Sequence, residues 1–223
     1  MLASAKRLIG RDVFGSDDRI GMLCDLFFAE RSGNVRYAVV KTGPWLGERE
    51  ILLAPQSLDE PHADIPDLYT RLTRHLVEHS PSVDADLPIN RVYEDHLHRH
   101  YGWSRYWGAS PADLSSSATI VLDEEGVDPD LRGMRAVFGH HLHALDGELG
   151  HLDDLLIDTV AWEVAFFVAK TRNWLPGRTV LLPRESVMQV RWDAKEVTLA
   201  LTRDEIKKAP AFEDLPQTQS PMA

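Results

Sequence analysis

Apolar positions in this chain come in short runs, many of them alternating with polar ones and broken by Gly, Pro, Asn and Asp. That is the pattern of strands joined by tight turns. Residues 8–14 predict a short strand, 15–19 a polar turn, and 20–29 a long, mostly buried strand with one acid, Asp25. Ser32-Gly33-Asn34 then turns the chain into a strand over 35–42. Thr42-Gly43-Pro44 turns it again, and 48–54 returns as a strand that Pro55 closes, because proline cannot donate to a ladder. Further on, 187–193 and 197–201 alternate around a turn and predict a last hairpin. The corresponding stretch 55–72 is interrupted by Pro61 and Pro66, which predicts a degraded or edge version.

Helical signals are few. Thr73 and Thr202 can each cap a short helix that ends near Pro81 or Pro210. Asn90 can cap a helix over 91–101, with Val92, Tyr93, Leu97 and Tyr101 on one apolar face and Gly102 at its end. A segment that is aromatic, next Ser-rich and next acidic reads as a linker from about residue 108 to 129.

The strand pattern occurs twice. Residues 20–84 align without a gap on 149–213 at a constant offset of 129, with 19 identities in 65 positions, too many for chance. Gly21/Gly150, Asp25/Asp154, Lys41/Lys170, Thr42/Thr171, Trp45/Trp174 and Arg49/Arg178 are among them. Upstream, matching Val13-Phe14-Gly15 to Val137-Phe138-Gly139 requires a five-residue insertion, which falls in a hairpin loop at 140–145. The repeat divides the chain into a first domain over 1–84, a helical aromatic segment and linker over 85–129, a second domain over 130–213, and a disordered tail over 214–223.

Composition narrows the function classes. A net charge of −11 repels phosphate backbones and anionic lipid surfaces, which works against broad nucleic-acid or membrane-surface binding. No run approaches the roughly 18 to 20 apolar residues of a membrane span, and the N-terminus lacks the apolar core of a signal peptide, so a cytoplasmic location is expected. The single cysteine, Cys24, fits a reducing compartment and is expected to be a buried thiol.

Residues 10–14, Ile20-Gly21, 25–28, 35–42, Trp45-Leu46-Gly47-Glu48-Arg49, 51–55 and Leu72-Thr73-Arg74 together resemble the PRC-barrel family. The second copy matches it through Gly133, Leu149-Gly150, Asp154-Leu155, 164–171, Trp174-Leu175, Arg178 and 180–183. The resemblance implies a mainly β chain: two small, highly bent antiparallel β-barrels in tandem, each followed by a short helix. Within the family such barrels occur in the cytoplasmic part of the photosynthetic reaction-centre H subunit and in a ribosome-maturation factor. The chain looks more like the tandem bacterial members, and the family supplies no catalytic residues.

The candidate site residues are therefore binding residues. Trp45 and Trp174 sit in turns, where an indole either anchors a partner or folds over the barrel mouth. Arg49 and Arg178 either meet an acidic partner or pair with Asp25 and Asp154. Tyr101, Trp103, Tyr106 and Trp107, interleaved with Arg99 and Arg105, either present stacking faces or bury their rings between the two barrels. His96, His98 and His100, with His140, His141 and His143, are the ligand-rich clusters, yet they fan around a helix or fall in a loop. No nucleophile with a base, no Gly-rich phosphate loop and no zinc-protease helix stands out. The expected role is that of a non-catalytic protein-interaction or assembly module without cofactor or metal, with a protein partner and room for a homodimer. An RNA- or ribosome-associated factor and a metal-binding protein are the alternatives.

Overall fold

The computed structural model describes residues 1–61, 65–81, 89–106, 130–171 and 178–208. The expected linker over 108–129, the tail over 214–223, and Trp107 and Trp174 lie outside the described residues. In chain order the first half contributes β1 (Leu2–Ser4), α1 (Ala5–Leu8), β2 (Asp12–Phe14), β3 (Arg19–Ala29), β4 (Val35–Thr42), β5 (Glu50–Leu53), β6 (Leu68–Tyr69), α2 (Arg74–Glu78) and α3 (Arg91–Tyr101). The second contributes β7 (Leu131–Gly133), α4 (Met134–Val137), β8 (His141–Ala144), β9 (Gly147–Asp158), β10 (Glu163–Thr171), β11 (Thr179–Pro183), β12 (Val187–Arg191), β13 (Glu196–Leu199) and α5 (Arg203–Lys207). The protein is mainly β, as the alternating runs predict.

Two compact units form. The N-terminal unit holds the described residues of Ile9–Arg31 and Arg36–Arg132, and the C-terminal unit holds Met1–Leu8, Ser32–Val35 and those from Gly133 on. In the N-terminal unit the strand order is β5-β4-β3-β2-β6, with β7 also paired to β3. In the C-terminal unit it is β11-β10-β9-β8-β13-β12, with β1 paired to β9. Among the described residues neither ladder returns to its first strand. Nor are all pairs antiparallel, because β6 runs parallel to β2 and β13 runs parallel to β8. In each case a long connection separates the two strands, and that frees the second from hairpin geometry.

Backbone contacts recur at the offset of 129, and they do so without an insertion. Gly10 N donates to Leu23 O at 2.8 Å as Gly139 N does to Leu152 O, and Leu23 N donates to Arg11 O as Leu152 N does to His140 O. His140 thus stands where Arg11 stands, and 141–144 are strand β8 rather than an inserted loop. Leu2–Ser4 and Leu131–Gly133 are likewise equivalent, since β1 lies on β9 with Leu2 opposite Asp158 while β7 lies on β3. Each unit is completed by the first strand of the other copy. No local pattern announces a three-residue strand whose partner lies about 150 residues away, and the expected strand over 8–14 is instead a helical turn, Gly10 at φ +94° and the shorter β2.

Ala5 and Leu8 carry this exchange into the core of the C-terminal unit, where both are buried. Ser4 Oγ donates to Asp154, Lys6 N donates to Asp154 Oδ1 at 3.0 Å, and Lys6 Nζ meets Asp153 at 2.9 Å. Burial alone would raise the Asp153 carboxyl, but Lys6 and Lys170 outweigh it and hold it below the ordinary value.

The last hairpin follows the sequence. β12 and β13 pair from Val187–Leu199 to Arg191–Glu196 in the second copy, whereas the described residues of the first copy keep the Leu58–Thr70 bridge, equivalent to Val187 opposite Leu199. Gly21 and Gly150 mark the tightest strand crossings. A Cβ on either would approach the carbonyl oxygen of Lys41 or Lys170 to well under 3.0 Å, and Gly150 also has φ +144°. Gly150→Ala is therefore expected to destabilise by about 3 kcal/mol, the upper end for an overpacked site. Leu8→Ala is expected to cost about 2–5 kcal/mol. Urea unfolding of the full chain measures both.

Candidate functional site

Helix α3 and the segment after it build the densest polar and aromatic constellation of the N-terminal unit. Asn90 caps the helix by accepting from Tyr93 N at 2.9 Å, and Gly102 ends it at φ +69°, both as the sequence predicts. The buried face differs. Val92 is 65% exposed, while Glu94, Leu97 and His98 are buried, so the stripe runs through 93, 97 and 101 and takes in 94 and 98 beside it. Reading apolar letters alone misplaces the helix, because the inward carboxylate and imidazole are satisfied by partners distant in sequence.

Those partners are specific. Glu94 Oε1 accepts from Tyr37 Oη at 2.8 Å and from Tyr106 Oη at 2.5 Å, and Glu94 Oε2 lies 2.8 Å from Arg91 Nη1. His98 Nε2 is 3.0 Å from Tyr37 Oη, and His98 Nδ1 is 3.0 Å from the Ser104 carbonyl. The carbonyl can only accept, so Nδ1 carries a proton. Tyr37 has one proton between two neighbours: it donates to Glu94 Oε1, and Nε2 of His98 lies against the same hydroxyl oxygen.

The surroundings disfavour a charged His98. Burial, opposed by the backbone carbonyl of Ser104 and backbone contact with Trp103 and assisted by Arg105 and Arg91, lowers the His98 imidazole below its usual 6.5. Burial first, and then the Glu94 charge, raises the Tyr37 and Tyr106 phenols far above the ordinary range, so both remain neutral hydroxyls. The rings enclose the network. Tyr101 stacks on Trp103 at 4.3 Å, His98 meets Trp103 edge-on at 5.9 Å, and the Arg36 guanidinium lies 4.0 Å over Tyr106. Tyr93, Tyr101, Trp103 and Tyr106 rest on Tyr37, Val39, Leu52 and Leu97, so these rings cover a sheet face of their own unit.

The other predicted residues fall elsewhere. Trp45 is half-buried, donates Nε1–H to Ile20 O at 2.9 Å and lies beneath Arg74 at 4.6 Å. The expected Arg–Asp pairs give way to carbonyl contacts. Arg49 Nη2 donates to Val77 O at 3.0 Å and Glu78 O at 2.7 Å, and Arg178 Nη1 donates to Lys207 O at 3.3 Å. Asp25 and Asp154 accept from the next backbone N–H, at 2.8 Å each. The histidine clusters disperse. His100 Nε2 binds Leu76 O at 2.7 Å, His96 is exposed, and His98 belongs to the buried network. His140 is buried edge-on to Trp192, with its imidazole lowered first by burial, while His141 is exposed near Glu148. Cys24 is partly exposed rather than buried.

Two expectations follow. Glu94→Ala removes the acceptor shared by Tyr37 and Tyr106 and the carboxylate facing Arg91 and should cost about 3–5 kcal/mol, whereas Glu94→Gln keeps an acceptor and should cost less. The unfolded chain binds the His98 proton more readily than the fold, so this contribution is intact above about pH 6.5 and is lost as the pH falls below it. Denaturant titrations at about pH 7.5 and about pH 5 should show that loss, and His98→Gln should flatten it.

Residues 2–60 match the model of the PRC-barrel domain, and the chain carries that domain there. None of the curated proteins compared with it matches the chain. No helix among the described residues is long and apolar enough to cross a membrane.

Proposed function

We propose that the chain is a tandem PRC-barrel protein of the cytoplasm that acts, without catalysis of its own, as a protein-interaction or assembly module. The observation that carries this reading is the recurrence of one set of backbone and capping contacts at an offset of 129 in a chain whose first copy matches the PRC-barrel model. Thr73 and Thr202 cap α2 and α5, Thr42 and Thr171 bond Arg49 O and Arg178 O, and Arg74 N and Arg203 N bond Asp17 and Asp146. Two related modules in one chain suit bivalent engagement, in which the second contact forms at high effective concentration.

In this reading, residues 1–84 and 130–213 are the two modules and the partner meets the outer side of α3. Val92 there is 65% exposed, Trp103 is half-buried at the rim, and Tyr101 and Tyr106 hold the segment in place from beneath. Trp45, Arg49 and Arg178 then serve the folding of the turns. An RNA- or ribosome-associated role would draw on Arg99 and Arg105, but both guanidinium groups pair with Asp95, which leaves little charge for phosphate.

Affinity purification of the tagged full chain from native cells, with Val92→Asp as comparison, tests the proposal. The expected result is a defined protein partner, resistant to nuclease and lost in the variant at unchanged thermal stability. Recovery of rRNA, or of no partner at all, would overturn it.

A further inference from the structure

Among the described residues, one group of three metal-ligating side chains converges: His75, Glu78 and His79, whose ligand atoms all lie within 4.8 Å of one another. We infer that this cluster, on α2 and its C-cap, is a binding site for one divalent transition-metal ion of the zinc and nickel class. The inference is independent of the interaction role.

Spacing comes first. His75 and His79 stand four residues apart, which brings both imidazoles to one face of a helical turn, with Glu78 beside them. Their ring centroids are 4.6 Å apart. His79 Nδ1 lies 2.8 Å from the His75 carbonyl oxygen and so carries the proton, which leaves Nε2 as the nitrogen with a lone pair. A second ring nitrogen bound to a carbonyl is the arrangement that orients imidazole ligands and fixes their tautomer. All three side chains are exposed, so an ion can enter and water can fill its remaining positions.

The backbone beneath them is fixed before any ion arrives. Thr73 caps the helix by accepting from Leu76 N, Arg49 holds the carbonyls of Val77 and Glu78, His100 meets the carbonyl of Leu76, and Val77 is fully buried. Such a support limits the ordering cost of binding to three side-chain rotations. Two imidazoles and one carboxylate suit zinc, nickel and copper better than magnesium or calcium, which prefer oxygen ligands throughout.

The second copy supplies an internal comparison. At the same offset α5 keeps the capping threonine, Arg203 and the buried Ile206, yet places Asp204, Lys207 and Lys208 where α2 has His75, Glu78 and His79. Lys207 there pairs with Asp204 at 3.1 Å. The fold therefore needs the cap and the buried residue, and it does not need the ligand trio.

Equilibrium dialysis of chelator-stripped full chain against zinc, and separately nickel, with metal measured by elemental analysis, tests the site. One ion per chain is expected, lost in H75A/H79A and weakened about tenfold in E78Q, a span that supporting groups at metal sites reach. H141Q/H143Q should bind as the parent does. Carrying the trio into the second copy as D204H/K207E/K208H should raise the count to two. Circular dichroism confirms that each variant is folded, which these exposed positions favour. No saturable binding, or binding unchanged in H75A/H79A, would overturn the inference.

Discussion

In each unit one glycine of the long strand stands where no side chain fits. At Gly21 the long strand β3 crosses β4 with no room for a Cβ against Lys41 O, and at Gly150 β9 crosses β10 in the same way against Lys170 O. A side chain at either point would force the strands apart. Around this crossing the remaining contacts fall into place: the neighbouring threonines, Thr42 and Thr171, are buried and bond the returning strand at Arg49 O and Arg178 O. The two arginines, in turn, reach the carbonyls of α2 and α5.

Much of this was legible in the letters. Alternation located β3, β4, β5 and the final hairpin, Asn90 and Gly102 bounded α3, and the repeat at an offset of 129 gave the equivalences. What escaped were contacts without a local signature. The three-residue strand β1 has no periodicity to detect, and its partner β9 is fixed only by the fold. Two glycine-containing segments, Gly15 and Gly139, looked equivalent when Gly10 and Gly139 were the true pair, because single glycines carry little alignment information. The parallel pairs β2/β6 and β8/β13 also follow from crossover geometry rather than from pattern.

The interior polar network shows why the candidate site was harder to read than the fold. Glu94 and His98 are letters that belong on a surface, and a buried carboxylate is tolerated only where several donors meet it. Tyr37 comes from β4, Tyr106 from beyond α3 and Arg91 from its first turn, so the donor set exists only after folding. Of the tyrosines that looked like stacking platforms, Tyr106 acts instead as a hydroxyl donor to Glu94, while Tyr101 stacks on Trp103 over the sheet face of its own unit. The histidines that drew notice by their density are scattered among a sheet, a core and a surface, while the pair at His75 and His79 attracted none because only two stand close in sequence.

The reciprocal placement of β1 and β7 ties each long strand to a segment far away in the chain. Cutting the chain near residue 130 would separate β1 from β9 and β3 from β7, and each long strand would lose a neighbour that only a second molecule could replace. Joined in one polypeptide, the same pairings form intramolecularly and do not change on dilution.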